Sequence, residues 1–216
     1  MTDQATHTNE SLETRLNELA QKIPSVEIDR ERFRDHLCVL VNPEDLLQVM
    51  ETVVDWIDIP MNYLRCITGV DQLTHIEVVY ILTSVPAGAK LAIVARCPRD
   101  GGVLPSITGI WETAAWQERE TWEFFGVEFE GHPDLRRLLT PEEFRGFPLL
   151  KDYPKGGDPD DLKAVDAFLP DGWLEKMAEE KENRKKWLAD EIAKRTQEPS
   201  EKPKPKPKSE SASEEK

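Results

Sequence analysis

The sequence is poor in the residues and motifs that mark common catalytic and cofactor sites. Among 216 residues there are three cysteines, Cys38, Cys66 and Cys97, and none stands in a C-x-x-C pair or at metal spacing from a histidine. We expect all three to be buried, reduced thiols. The glycine-rich phosphate loops and the G-x-S-x-G nucleophile motif are missing as well. These absences argue against a cysteine-based metal site, a nucleotide site and a serine hydrolase.

Positive charge is also in deficit. The chain has 28 lysines and arginines against 42 acidic residues, a net charge of -14. Nucleic acids and anionic membranes attract basic surfaces, so both are disfavoured as partners. No run approaches the ~18 apolar residues of a transmembrane helix, and the polar start "MTDQATHTNES" is unlike a secretory signal. The composition predicts a cytosolic protein or a subunit that docks on other proteins.

Hydrophobic periodicity predicts one α+β body over residues 11–155. Apolar residues alternate with a period of two in "AKLAIVARCP", which indicates an antiparallel sheet. We therefore expect a mixed or antiparallel sheet of about five strands covered by helices. The strands are predicted at 26–28, 36–41, 62–68, 75–85 and 89–97. The helices are predicted at 11–22, 43–57 and 107–125.

Beyond Gly126, which is placed to end the third helix, the pattern changes. Residues 127–161 hold many prolines and glycines and little periodicity, so they predict an extended, loop-rich segment, here called the strap. Residues 156–197 complete the strap and add a charged surface helix with a thin apolar stripe. Polar or low-complexity composition predicts disorder at both ends, over residues 1–10 and 198–216.

The densest part of the chain is "ERETWEFFGVEFEGHPDLRRLL", 118–139. On a helix, one stripe would hold Trp111, Ala115, Glu118, Trp122 and Phe125. Glu118 would then lie buried in an aromatic seam, and a buried carboxylate needs a partner or a raised pKa. Arg136 and Arg137 of the strap are the predicted partners. Arg119 and Glu120 lie on other faces and are expected to pair outward.

The same stretch contains residue types that could support a metal site or acid–base chemistry. Glu118, Glu120, Glu123 and His132 are metal-ligand types, but the three glutamates share no helix face. Glu118 in an apolar setting could act as a general acid, yet no nucleophile or second convergent acid is visible. His132 before Pro133 is interpreted as a conformational lock with a local hydrogen bond. The residues themselves favour a buried ion-pair clasp or a protein-docking surface.

The run "WQERETWEFFGVEFEGHPDLRRLL", 116–139, resembles the signature of the C chain of bacterial respiratory NADH:quinone oxidoreductase, complex I. The segments "PSITGIWETAAW" and "FRGFPLLKDYP" resemble the lead-in and the closing segment of that family. Leu149 and Leu150 depart from the pattern, in which a basic residue is usual before Lys151. The shared residues are Glu118, Arg119, Glu120, Phe125, Gly126, Phe129, Gly131, His132, Pro133, Leu135, Arg137 and Leu139.

The resemblance implies a peripheral subunit without a cofactor or catalytic residue of its own. Iron–sulfur clusters, FMN and quinone would belong to partner chains. The chain would pack on the large D chain at the cytoplasmic face of the membrane, with the B and I chains nearby. The signature, together with Arg136, would form the structural clasp and docking face. The alternative is an equivalent C-like subunit of an energy-converting [NiFe] hydrogenase or another donor-linked quinone oxidoreductase.

Overall fold

A computed structural model describes residues 2–154 and 172–197; the predicted tail from residue 198 and part of the strap lie outside these ranges. In chain order, the elements are α1 (Thr2–Lys22), β1 (Glu27–Asp29), β2 (Leu37–Val41), a 3₁₀ turn (Pro43–Asp45), α2 (Leu46–Val54), β3 (Tyr63–Asp71), β4 (His75–Thr83), β5 (Lys90–Pro98), β6 (Val103–Pro105), α3 (Ala114–Phe125), β7 (Glu128–Glu130) and α4 (Trp173–Gln197).

Five strands form one mixed sheet in the order β1-β2-β5-β4-β3. The β2–β5 pair is parallel and places Val39 opposite Ile93, whereas the other neighbours are antiparallel. A parallel pair needs a crossover connection, and here α2, β3 and β4 lie between its strands in sequence. The predicted α+β class and the five-stranded sheet are confirmed. Two short strands, β6 and β7, form an additional parallel pair that was not predicted.

The main core lies between one face of the sheet and the helices α1 and α2. The leucines of α1 repeat at helical spacing, so they share one face and meet the sheet together. Buried helix residues in this core are Leu12, Leu16, Leu19, Val49, Met50 and Val53. Each such side chain contributes about 1.5–3 kcal/mol when removed from water, which explains why these two helices pack against the sheet.

The other face of the sheet is covered by the loop between β1 and β2. Phe33 packs against a second cluster that includes the fully buried Cys38 and Val94. From the same loop, Arg32 binds the carboxylate of Glu77, which is 2% exposed on β4. Burial acts to raise the pKa of Glu77, but its hydrogen bonds and neighbouring guanidinium groups outweigh it, so the pKa is lowered. The β1–β2 loop thus covers this cluster on the second face of the sheet.

Helix α3 covers the edge strand β3. The side chain of Gln117 accepts a hydrogen bond from the backbone N–H of Ile67, a group that an edge strand would otherwise leave unpaired. Near the far end of β3, Gly69 lies directly against the ring of Phe125, the last residue of α3. The edge strand therefore fixes the position of the helix that carries the charged and aromatic signature.

Helix α4 lies on the body with few contacts. Arg184 donates to the carbonyl oxygen of Lys151, and Arg195 donates to that of Gln72 at 3.3 Å. Met177 is buried, whereas Trp173 and Trp187 are 37% and 48% exposed. The predicted charged surface helix is therefore present over Trp173–Gln197.

Three sequence-based boundaries need correction. Helix α1 begins at Thr2, so residues 2–10 are helical instead of disordered; the segment has no proline or glycine to stop the helix. Helix α2 ends at Val54 and not at residue 57, because the chain turns back and the N–H of Met61 bonds to the carbonyl of Val53. Ile57 is consequently 95% exposed and not part of the apolar stripe.

The third helix also starts later than predicted. Residues 107–113 form turns, in which the N–H groups of Ile110 and Trp111 bond to the carbonyl of Ile107, and α3 begins only at Ala114. Thr108, which is β-branched, and Gly109 both lower the helix propensity of this segment. Among the cysteines, Cys38 and Cys97 are buried as expected, but Cys66 is exposed on β3. That part of the cysteine prediction was wrong.

The contact between β3 and α3 can be tested at Gly69. A Cβ atom there would lie 2.5 Å from the Phe125 ring, so Gly69→Ala should destabilise the chain by about 1–3 kcal/mol through overpacking. Urea unfolding followed by circular dichroism measures the effect. Gly109→Ala is the matched control, because a Cβ there meets nothing within 4 Å. Equal stability of the two variants would contradict the close approach.

Candidate functional site: a clasp between helix α3 and the strap

Arg119 projects from α3 onto the backbone of the strap. Its side chain is buried, and its Nε and Nη2 atoms donate to the carbonyl oxygens of Arg136 and Arg137 at 2.9 and 3.0 Å. The guanidinium group also lies 5.1 Å from the ring centre of Trp116, within cation–π range. The planar fork of arginine matches two successive carbonyls, a geometry that lysine cannot reproduce.

Glu123 lies one helical turn further along the same face and binds the next peptide groups. It accepts hydrogen bonds from the backbone N–H groups of Leu138, Leu139 and Thr140 at 2.5–3.2 Å, and also from the Thr140 hydroxyl group. Its side chain is 1% exposed. Arg119 and Glu123 thus bind a continuous run of main chain over residues 136–140. We call this arrangement the clasp.

The environment of Glu123 favours its charged form. Burial acts to raise the pKa of the carboxyl group, but the Thr140 hydroxyl group and the strap N–H groups outweigh it, so the pKa of Glu123 is lowered. Hydrogen bonds to a charged acceptor are shorter and stronger than neutral ones. The Glu123 half of the clasp is therefore a charged carboxylate bound mainly by main-chain N–H groups.

Glu118 faces the opposite way, into the core. It is fully buried and accepts hydrogen bonds from the Ser106 hydroxyl group at 2.7 Å and from the N–H of Ile107 at 2.8 Å. Burial raises the pKa of Glu118, and these two bonds and the nearby His132 only partly oppose the shift. The predicted burial of Glu118 is confirmed. Its role is to join α3 to the segment after β6.

The predicted pairing of Glu118 with Arg136 or Arg137 is wrong. Arg136 binds Asp134 at 2.9 Å and its side chain is 73% exposed. Arg137 donates to the Thr140 hydroxyl group and to the carbonyl of Phe144. The strap crosses the Arg119 side of α3, whereas Glu118 points to the other side, so neither guanidinium group can reach it.

Arg137 instead stabilises the turn of the strap between residues 137 and 144. Its guanidinium carbon lies 5.9 Å from the ring centre of Trp122 and 5.7 Å from that of Phe144. Together with the clasp, these contacts form the walls of a groove of about 490 Å³ between α3 and the strap. The groove is lined by Arg119, Trp122, Leu135, Arg136, Arg137, Thr140 and Glu142. Trp116 and Leu139 remain 62% and 70% exposed.

His132 ties the start of the strap to the start of α3. Its Nδ1 atom accepts a hydrogen bond from the N–H of Asp134 at 3.0 Å, and Nε2 lies 3.0 Å from the carbonyl oxygen of Ala115. Because Nδ1 is an acceptor, this network assigns the proton to Nε2. The predicted local lock is confirmed, and it extends to the helix.

A second anchor holds the far end of the strap. Asp71, at the end of β3, is 3% exposed and receives a two-point contact from Arg99 at 3.0 and 2.9 Å. It also accepts a hydrogen bond from the N–H of Lys151 at 2.8 Å, and Arg99 binds Asp152 as well. The closing segment "KDYP" therefore contributes an amide and a partly exposed carboxylate to an ion cluster centred on the buried Asp71.

The other signature residues have structural positions. Gly126 ends α3 with a φ of 79°, and its N–H bonds to the carbonyl of Trp122, as predicted. Phe125 and Phe129 are buried in the core, whereas Glu120 and Pro133 are exposed. The four metal-ligand candidates do not converge. In the described ranges, no group of three or more His, Cys, Asp and Glu side chains is arranged to hold a metal ion.

Sequence reasoning missed the roles of Arg119 and Glu123. It placed Arg119 outward and treated Glu123 only as a metal candidate. The available signal was their spacing. Residues four apart lie on the same face of a helix, so Arg119 and Glu123 were bound to contact the same neighbouring segment. The Arg99–Asp71–Asp152 cluster had no such signal, because its members are distant in sequence.

The fold and the clasp define an α+β domain in which a charged motif on one helix binds the backbone of the strap that follows it. A family match agrees with this architecture. Residues 39–159 match the family described as "Respiratory-chain NADH dehydrogenase, 30 Kd subunit". The chain belongs to this family.

Curated relatives support that assignment. The C subunit of NADH-quinone oxidoreductase from Chlorobium phaeobacteroides is 40% identical over 151 residues, which cover 63% of this chain and 90% of the relative. The corresponding protein from Roseiflexus sp. is 36% identical over 148 residues, covering 67% of this chain and 85% of the relative. The chain is therefore a C-type component of an oxidoreductase complex.

A solved structure is similar as well. It is a chain of the membrane-bound sulfane sulfur reductase, an archaeal respiratory membrane complex, with a TM-score of 0.58 and 26% identity. The match covers 74% of this chain and 94% of that chain. Across residues 2–154 and 172–197, no helix has the length and apolar character needed to cross a membrane.

The clasp predicts a specific loss in Glu123→Gln. The amide keeps the shape but replaces one acceptor oxygen with a donor facing the strap N–H groups, so stability should fall by about 1.5–3 kcal/mol at neutral pH. Because the pKa of Glu123 is lowered, its contribution is present above the usual glutamate pKa and is lost as the pH falls through the folded value. Urea unfolding across pH measures both effects. Glu120→Gln, exposed on the same helix, is the control.

Glu118→Gln should behave in the opposite way. Because the pKa of Glu118 is raised, wild-type stability is greatest below the usual glutamate pKa and falls as the pH rises through the folded value. Glutamine carries no charge and can still accept the Ile107 N–H. We expect no loss of stability at neutral pH and a weaker decline as the pH rises above the usual glutamate pKa. A large loss at neutral pH would show that the carboxylate itself is required.

Proposed function

We propose that the chain is a structural C-type subunit in the peripheral arm of a proton-translocating NADH:quinone oxidoreductase. It binds no cofactor and performs no chemical step. It docks on the large D chain beside the B and I chains, at the cytoplasmic face of the membrane. Iron–sulfur clusters, FMN and quinone belong to those and other partner chains.

The roles of three polar side chains in and beside the clasp carry this proposal. Arg119, Glu123 and His132 all bind main-chain groups of the strap or of α3 itself. Groups committed in this way hold a shape, and a rigid shape suits a docking surface because little entropy is lost on binding. The outward side of the clasp presents exposed Trp116 and Leu139 beside Arg136. Tryptophan and arginine are enriched at the centres of protein interfaces.

A second candidate is the equivalent subunit of a related complex with another electron donor. The similarity to a chain of an archaeal sulfane sulfur reductase supports it, since that complex is also a respiratory membrane complex. Affinity purification of the tagged chain from membranes separates the two. A co-purifying flavoprotein with NADH-binding loops favours the first candidate, and a large chain with nickel-ligand cysteines favours a hydrogenase.

The scaffold role predicts how Arg119→Lys acts in the assembled complex. Lysine cannot bind two carbonyls as a fork, and a loss of about 1–2 kcal/mol changes protein abundance several-fold. Complex content should therefore fall, while quinone turnover per assembled complex stays at the wild-type value. Immunoblotted content and NADH:quinone turnover are measured in the same membranes. Glu120→Gln should leave both unchanged.

If Arg119→Lys or Glu118→Gln left complex content intact and abolished turnover, the chain would take part in the chemistry. Stoichiometric iron or zinc in the purified chain would also oppose the proposed cofactor-free role.

A further inference from the structure

The outward face of α2 carries acids and exposed aliphatic residues and is separate from the clasp. Glu44, Leu47, Glu51 and Asp55 recur along one side of the 3₁₀ turn and helix, and Ile57 follows in the next loop. All five are exposed; Ile57 is 95% exposed and Leu47 38%. We refer to these five residues as the α2 face.

The charge of this segment has one sign. Residues 42–62 contain five acidic residues and no lysine or arginine. Asp45 binds Ser25, and Asp58 binds Arg15. The remaining three, Glu44, Glu51 and Asp55, form no ion pair with any residue in the described ranges. The α2 face therefore presents uncompensated negative charge.

The loop that carries Ile57 is held in place. The Nε atom of Arg15 on α1 lies 3.0 and 3.2 Å from the two carboxylate oxygens of Asp58, and Nη2 lies 2.9 Å from one of them. The N–H of Met61 bonds to the carbonyl of Val53, and Asn62 accepts a bond from the N–H of Val85 at 3.0 Å. An aliphatic side chain kept in water by a restrained loop is already fixed for burial in a partner, so little conformational entropy is lost on binding.

We propose that the α2 face is a second docking surface, and that its partner is a protein surface with an apolar pocket rimmed by lysine or arginine. The pocket receives Ile57 and Leu47, and the basic rim neutralises Glu44, Glu51 and Asp55. Complementary charge raises the association rate and suppresses wrong partners. This interface goes beyond docking through the clasp and does not depend on which electron donor the complex uses.

Other occupants fit the α2 face less well. Nucleic acids and anionic membranes are repelled by three free carboxylates. A divalent cation would satisfy carboxylates but would leave Ile57 and Leu47 in water. A wholly apolar partner surface would leave the acids without counter-charges. Only a basic-rimmed apolar pocket satisfies both parts of the face.

The test uses the intact complex purified from membranes. A carbodiimide joins carboxylates to lysine amines that lie within ion-pair distance, so peptide mapping should find Glu51 or Asp55 linked to lysines of a neighbouring subunit. A double reversal, Glu51→Lys with Asp55→Lys, should lower the retained chain about tenfold, since like charges now face each other. Glu112→Lys, a charge reversal at an exposed position before α3, is the control and should retain wild-type levels.

Two further variants make the result decisive. Ile57→Asp should also weaken retention, and reversing the linked lysines to glutamate in the neighbouring subunit should restore the double variant. Circular dichroism of each variant chain checks that the fold is intact. If no link forms from the α2 face, or the double reversal is retained like Glu112→Lys, the inference fails while the proposed function stands. If links form in a complex that lacks a D-type chain, the inference stands and the proposed function fails.

Discussion

The structure depends on the binding of main-chain groups by one face of helix α3. Residues 131–154 of the strap contain no helix or strand, yet their peptide groups still need hydrogen-bond partners when they leave water. Arg119 supplies donors for two carbonyls and Glu123 supplies acceptors for three amides. The helix thus gives residues 136–140 the hydrogen-bond partners that a neighbouring strand would supply. Gly126, His132 and the Asp71–Arg99 cluster fix the two ends so that this match can form.

Two carboxylates on this helix show how environment decides protonation. Glu118 and Glu123 are five residues apart and both are buried. Glu123 meets three amides and a hydroxyl group, which outweigh its burial, whereas Glu118 has one amide and one hydroxyl group, which do not. Glu118 lies deeper in the protein than Glu123, so the depth of burial and the number of donors together set the direction of each shift. Neither group needs an arginine, which is why the ion-pair prediction named the wrong partners.

Local patterns in the sequence were sufficient for most of the body. The alternation in residues 89–98 and the spacing of the leucines in α1 depend only on which residues share a face of one strand or one helix. The sheet and its covering helices were therefore predictable from the sequence. Glu118 was correctly placed inside. The strap was predictable only as a loop, because its partners are set by the tertiary fold. The Arg119 side chain binds the main-chain carbonyl at residue 136, which any residue type would offer. The identities of the strap residues therefore do not indicate this contact.

Recognition through the main chain has a consequence for how such a protein can diverge. Every residue except proline offers the same N–H and C=O groups, so the positions of Leu138 and Leu139 can change side chain without altering what Glu123 binds. The side chains on the outer surface of the strap are therefore not needed to hold the strap on α3. Mutation can reshape that surface to follow a changing neighbour in the assembly, while the helix beneath keeps the same hold on the chain.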